Sequence, residues 1–433
     1  MKKILFILYT CCILLFPVSA QQIPSFKAND RIVFLGNSIT EGGHYHSYIW
    51  LYYMTHFPEL PLRIYNGGIG GDCASHMVFR FDSDIKIKKP TYLVCSFGMN
   101  DSGYDGYNKP GYDKYANKQV EYANTEFGKL QQQILADKKI KNVVLLGSSP
   151  YDENVKLEGV ETLHGKNETI KRIIEMQAEV AQKRGWGFVN FNTVMCELNK
   201  EIQQSDSTAT FCGGDRIHPD KDGHMVMAYL FLKAQGLAGK EVAYFHINAT
   251  NRKAMEERNC RITHIKNEND TISFSYLSRS LPFPVDTIPR WGTKGTARDA
   301  VRQVPFMQEM NQEIMKVTDL HGNFRVTIDG TEIGRWDGNE LSKGINLAEI
   351  TCTPQYQQSL SIMYLNEERC AIEKRLRQYM AMQYVFFKHR GLLFADNKAA
   401  LDAAKAERES HYLVKYLYTN YTCLLYTSDA ADD

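Results

Sequence analysis

What this chain lacks narrows it before anything it contains. It has no excess of either charge, since 51 lysines and arginines stand against 50 aspartates and glutamates. The field that would hold nucleic acid or an anionic membrane surface is missing, and neither is an expected partner. No long apolar run follows the N-terminus, so no membrane span is expected in the mature chain. The ten cysteines form no CxxC pair, so the usual zinc signature is absent. No period recurs, which excludes repeat architectures. Neither the Gly-x-Ser-x-Gly elbow nor the dinucleotide-binding fingerprint is present.

The one long apolar stretch sits at the start. Lys2 and Lys3 precede a run from Ile4 to Phe16, and Val18-Ser19-Ala20 follows just ahead of Gln21. A charged n-region, a short h-region and a small-x-small site spell a secretory signal over residues 1–20, cleaved after Ala20. The mature protein is therefore expected outside the cytoplasm, periplasmic or extracellular. Cys11 and Cys12 lack the small residue that a lipoprotein site wants before its cysteine. Disulfides are permitted in such a compartment, but the sequence sets no pairing, and buried free thiols are at least as good a reading. At the other end, Cys423-Leu-Leu-Tyr-Thr-Ser-Asp-Ala-Ala-Asp-Asp433 reads like translated sequencing adapter. On that reading residues 423–433 are non-native, and the natural chain continues past about Thr422.

What is present begins with an alternation. Short β-branched or aromatic runs occur at Arg31–Gly36, Leu62–Asn66, Thr91–Phe97, Asn142–Ser148 and Gly187–Phe191. Helical stripes lie between them, over Lys118–Lys138 and Asn167–Arg184, and a last one over Asp220–Gln235. Strands alternating with helices predict a parallel sheet covered on both faces. After Gly236 the rhythm changes. Arg261–Leu281 reads as extended segments around a turn at Asn267–Asp270, and Phe324–Ile328 leads into an Asp329-Gly330 hairpin turn. Gln355–Phe387 and Leu401–Tyr418 read as long helices. The expected organisation is one domain over 26–236 and an α+β region of unknown role over 237–422.

Four short motifs fall at the carboxyl ends of the expected strands or just before the last helix, where open parallel sheets bind ligands. They are Gly36-Asn37-Ser38, Asn66–Asp72, Gly98-Met99-Asn100-Asp101 and Asp215-Arg216-Ile217-His218-Pro219. Taken singly each is ordinary: a cap, a tight turn, a loop. Together they hold the parts of an acyl-transfer site. Ser38 needs a base, which His218 can supply; an imidazole needs an orienting acceptor, which Asp215 can supply. A tetrahedral oxyanion needs converging donors, available from the Ser38 and Gly71 amides and the Asn100 side chain.

In these motifs the chain resembles the SGNH hydrolases, the GDSL-type serine esterases, over about Arg31–Gly236. The resemblance implies a flavodoxin-like three-layer α/β/α sandwich with a five-stranded parallel sheet. Here that sandwich would carry a C-terminal extension of β-hairpins and long helices. It implies Ser38 as nucleophile, His218 as base, Asp215 as orienter and Ser38, Gly71 and Asn100 as oxyanion hole. It implies no cofactor or metal. One departure is visible: Asn37 stands where the family usually has aspartate. The loop SGYDGYNKPGYDKY beside Asn100 is rich in tyrosine and acid, and no apolar lid is evident nearby. Asp101, Tyr104 and Tyr107, with His44, Tyr45, His46 and Trp50, are therefore candidates to line a carbohydrate-ester cleft. The expectation is an O-acetylesterase for carbohydrate. A short-chain aryl or thioesterase-like hydrolase and a non-catalytic glycan-binding protein on the same fold are the alternatives. Trp291 and Trp336 in the later region are read as core rather than a binding face.

Overall fold

The computed structural model describes residues 22–289 and 295–432, with side chains to residue 426 at the C-terminal end. The expected signal and Trp291 lie outside the described residues. Five strands form the first sheet: β1 (Arg31–Gly36), β2 (Arg63–Gly68), β3 (Tyr92–Phe97), β4 (Asn142–Gly147) and β5 (Gly187–Asn190). All pair in parallel, in the order β2-β1-β3-β4-β5.

The strands are apolar at nearly every position because both faces are covered. Their side chains alternate between two cores. Ile32, Phe34, Tyr92, Val94, Val144 and Leu146 feed one. Val33, Leu35, Leu93, Cys95, Val143 and Leu145 feed the other. The helices of this half are α1 (Ser38–Gly42), α2 (His44–His56), α3 (Ala74–Arg80), α4 (Tyr112–Ala136), α5 (Lys166–Arg184), α6 (Phe191–Ile202) and α7 (Lys221–Ala234). Tyr45, Tyr48 and Tyr52 of α2 and Met225 to Leu232 of α7 cover the first face. Met77 of α3 and Phe127, Leu130 and Ile134 of α4 cover the second. The result is the expected three-layer sandwich. One detail differs: α6 intervenes between β5 and the Asp215 motif, which therefore sits on a loop after a helix rather than directly after a strand.

The second half is built around a mixed sheet that periodicity did not anticipate. It contains β6 (Ala243–Asn248), β7 (Lys253–Arg258), β10 (Glu313–Thr318) and β13 (Ile345–Asn346) in the order β13-β10-β6-β7. The two expected hairpins are β8 (Cys260–Glu268) with β9 (Thr271–Ser278), and β11 (Asn323–Ile328) with β12 (Thr331–Asp337). Both turns use residues that tolerate positive φ, Asn269-Asp270 and Asp329-Gly330, as two-residue hairpins demand. Trp336 packs into this half's core, as read from sequence. Short helices α8 (Ala297–Ala300), α9 (Phe306–Met310) and α10 (Gly338–Lys343) connect these strands.

The chain then enters α11 (Pro354–Ala381), started by Thr353, whose hydroxyl accepts from Tyr356 N–H. A π-helical stretch, Met382–Phe387, follows. The helix expected over Leu401–Tyr418 is instead two, α12 (Lys398–Ala406) and α13 (Tyr412–Asp432). The break lets Glu407 hold the Arg390 guanidinium through both carboxylate oxygens. It also lets Ala400 and Ala404 share one core with Val414, Leu417 and Tyr421. α13 continues through residues 423–432 of the stretch read as adapter-derived. All eight cysteines among the described residues are free thiols. No helix among the described residues is long and apolar enough to cross a membrane.

α11 lies across the first domain rather than beside it. Asn366 donates to Ser47 O and Oγ on α2, and the Arg369 guanidinium sits 4.3 Å from the centre of the Trp50 ring. Glu373 accepts from Asn66 N–H at 2.7 Å. Arg377 donates to Gly68 O and to both oxygens of Asp84. These positions recur at three- and four-residue intervals, so one face of the helix clamps α2 and the end of β2.

Candidate active site

Ser38 stands where β1 stops. Asn37 adopts an extended conformation and its Oδ1 accepts from Ile39 N–H at 3.0 Å, so α1 begins at Ser38. This puts the Ser38 amide in the first helical turn, where N–H groups have no intrahelical partner. The Asn37 side chain is buried in that cap. Its departure from the family's usual aspartate therefore bears on the helix start, not on His218.

The Ser38 hydroxyl lies 2.7 Å from His218 Nε2. On the far side of the ring, His218 Nδ1 lies 2.5 Å from Asp215 Oδ2. The other oxygen of Asp215 accepts the backbone N–H groups of Ile217 and His218. Burial works to raise the Asp215 pKa, but these hydrogen bonds and the neighbouring imidazole outweigh it and hold the carboxylate below its ordinary range. An acceptor kept ionised there favours the tautomer with its proton on Nδ1, which leaves Nε2 free to take the serine proton.

The loop carrying this pair is pinned by Arg216, a residue sequence reasoning passed over. It is buried with φ of 68°. Its guanidinium donates to the carbonyls of Asp152, Val155 and Val160. The turn also requires Gly213, because a Cβ there would fall 2.0 Å from His218 O.

The second and third motifs meet beside Ser38. Gly71 has φ of 80°, and a Cβ on it would meet nothing within 4 Å. The glycine is thus required by conformation, and the space beside it is open. Among the described residues neither the Ser38 nor the Gly71 N–H is taken by a protein acceptor. The Asn100 side chain donates to Asp72 O at 3.0 Å and accepts from Tyr104 Oη at 2.8 Å. Its second amide hydrogen remains for an oxygen in the cleft.

Several residues unremarked in the sequence hold these donors. Glu41, within the Ser38 stretch itself, accepts from Gly70 N–H at 2.5 Å. Burial raises its pKa, offset in part by that hydrogen bond and by the Arg377 and Lys374 charges. Below lies a buried ionic cluster. Arg80 binds Asp72, Asp84 and the carbonyls of Gly36 and Gly67, and Arg377 reaches Asp84 from α11. Both motif loops therefore rest on one charge network, to which the C-terminal helix contributes.

The residues proposed to line a sugar cleft mostly do something else. His46 is fully buried, stacks on Phe34 and bonds to Thr40 O; burial lowers its pKa to about 4. It belongs to the core. Asp101 is buried and accepts from Ala74 N–H and Gly98 N–H, tying the start of α3 to the third motif. Tyr107 is buried and donates to Ser102 O. His44 packs near Tyr48 and His224, 3.9 Å from Glu367, on the side that α11 covers. Only Tyr104 keeps its place at the site, through Asn100. Lys166, also unremarked, is buried beneath this loop and donates to Met99 O, Ser102 Oγ and Gly103 O.

Comparison with known proteins agrees with this architecture. Residues 34–226 match the GDSL-like lipase/acylhydrolase family, and residues 360–430 match a domain described as the diltiazem deacetylase C-terminal helical domain. A solved structure of a gut microbial diltiazem-metabolizing enzyme is similar over 94% of this chain and 92% of its own, at 48% identity and a TM-score of 0.91. The acetylxylan esterase of Geobacillus stearothermophilus is 22% identical over 224 residues, 48% of this chain and 95% of its own. The chain belongs to the GDSL-like lipase/acylhydrolase family, within the SGNH hydrolases, and is a carboxylic ester hydrolase.

Proposed function

We propose that the protein is a serine acetylesterase working through an acetyl-enzyme on Ser38. The observation that carries this is the continuous chain Ser38–His218–Asp215, at 2.7 and 2.5 Å, beside the free amides of Ser38 and Gly71. Ser38 Oγ attacks the ester carbonyl carbon while its proton passes to His218 Nε2. The carbonyl oxygen takes up the electron pair, facing the Ser38 and Gly71 amides and the Asn100 side chain. The intermediate collapses, the C–O bond to the alcohol breaks, and His218 returns the proton to the departing oxygen. Water then repeats the sequence on acetyl-Ser38, giving acetate and free enzyme.

Acetate as the acyl group draws support from two relatives of different range, one described as a diltiazem deacetylase domain and one as an acetylxylan esterase. A carbohydrate alcohol is the reading favoured by the second. The tyrosines that first suggested it contribute little, because they build the Asn100 loop instead. The N-terminal signal pattern supports export of the mature chain, and N-terminal sequencing of secreted material tests that directly. p-Nitrophenyl acetate hydrolysis by wild type and Ser38→Ala tests the nucleophile. The variant is expected to lose about 10⁴-fold or more in kcat, with no effect of EDTA on the wild type; equal rates in the two proteins defeat the reading.

A further inference from the structure

A cleft of about 130 Å³ opens against the oxyanion loop. Gly70, Gly71 and Asp72 form one edge. His76 and Phe79 of α3 form one wall. The C-terminal helical region forms the other, through Tyr384, Val385, Lys388 and Tyr412.

Its rings stand out from the rest of the surface. Phe79 is 44% exposed and Tyr412 68% exposed. Single exposed aromatics are ordinary, but these two rings, with the buried Tyr384, surround one concavity whose edge is Gly71, and that is a binding feature. Phe79 and Tyr384 meet edge to face, with centroids 6.1 Å apart. The Tyr384 hydroxyl is engaged with Ser83 Oγ at 2.8 Å, so what it offers the cleft is its ring. Lys388 Nζ lies 3.2 Å from the centre of the Phe79 ring, which fixes that ring's tilt.

The chemistry of the lining favours an aromatic guest over a sugar. Sugar hydroxyls are met by carboxylates and amides. The one carboxylate here, Asp72, is buried and held by Arg80 at 2.7 Å. The other polar side chains are His76, Lys388, His389 and the Tyr412 phenol. An acetyl group carries only a methyl, so a ring-sized cleft bordered by Gly71 is left to take the alcohol half.

We propose that this cleft is the alcohol subsite, and that the enzyme selects acetate esters whose alcohol carries an aromatic ring packing on Phe79, Tyr384 and Tyr412. The proposal rests on the reading of Ser38 and Gly71 given above. The C-terminal region is then the specificity element of the enzyme.

The test compares 2-naphthyl acetate, methyl acetate and peracetylated xylose on wild type, Phe79→Ala and Tyr412→Ala. Each variant is expected to lower kcat/KM for 2-naphthyl acetate about tenfold, through KM, as removal of an aromatic contact does. Methyl acetate has no ring to place and is expected to change less than about twofold. Equal losses on all three esters, loss confined to the xylose ester, or no loss at all would each overturn the proposal. Tyr412 is largely exposed, so its variant guards against misfolding of the first. Binding of 2-naphthol to Ser38→Ala separates the two ideas. If Ser38→Ala still turns over while Tyr412→Ala abolishes 2-naphthol binding, the catalytic reading fails and the subsite stands.

Discussion

At Ser38 a helix cap and a nucleophile would look alike in sequence; what favours the proposed nucleophile is a distance of 2.7 Å to an imidazole 180 residues away. That contact depends on a turn with no slack. Gly213→Ala would drive a methyl into His218 O, displacing the ring. A displacement of about 1 Å in a reacting group costs roughly 10²-fold, so kcat for p-nitrophenyl acetate is expected to fall by that order with KM little changed. Asn37→Asp is the contrasting case. Its side chain caps α1 and does not reach the imidazole, so kcat is expected to stay within a few-fold of wild type. A change of about 10²-fold would mean that Asn37 acts on the reaction itself.

At the scale of elements, the strands and most helices were readable because their periodicities reflect burial. Arg31–Gly36 is matched end to end, and of the stripe Ile170, Ile173, Ile174 and Val180 the three isoleucines are on the buried face of α5 while Val180 is half-buried at its edge. The four motifs were readable as one site because parallel-sheet topology gathers strand ends together. What failed was pairwise chemistry between distant elements. Glu41 lies three residues after Ser38, yet its partner Gly70 is set by the loop after β2. Arg377 is one of many charges on a polar helix, and no local pattern marks it as reaching Asp84. His46 and Tyr107 failed for the opposite reason: their polar atoms suggested a cleft, but His46 Nε2 and the Tyr107 hydroxyl meet backbone carbonyls inside the protein. Arg377→Met leaves Asp84 one cation short in a buried site. It is expected to cost about 3 kcal/mol, the scale of breaking a buried pair, read as a lower denaturation midpoint.

Glu313 of β10 gives the second half its own test. Its carboxyl accepts from Tyr276 Oη and Gln355 Nε2, while its other oxygen is buried without a partner. Burial raises its pKa from 4.5 to about 7. The folded state therefore keeps a proton that the unfolded chain loses, and stability falls as pH rises from about 4.5 to about 7. Above that window the penalty is complete. Glu313→Gln is expected to match wild type near pH 4 and to exceed it near pH 8 by at most about 3 kcal/mol. A difference that does not vary with pH would show that Glu313 is ionised in the fold.

At the scale of the whole molecule, the two halves are one working unit. α11 reaches the sheet through Glu373 and Arg377, and α2 through Asn366 and Arg369, and the stretch after it walls the cleft at Gly71. Removing residues 354–432 would uncover α2 and leave Asp84 without Arg377. The shortened chain is expected to be insoluble or to have lost most of its activity, whereas full activity would make the helical region an appendage.

The central claim is that an ester's acetyl group passes through Ser38. It is tested most directly by acid-quenching the enzyme during p-nitrophenyl acetate turnover and mapping its peptides by mass spectrometry. The prediction is one added acetyl group on the peptide containing Ser38, absent from Ser38→Ala. Turnover at wild-type rate with that peptide unmodified, or with the acetyl group on another residue, would contradict it.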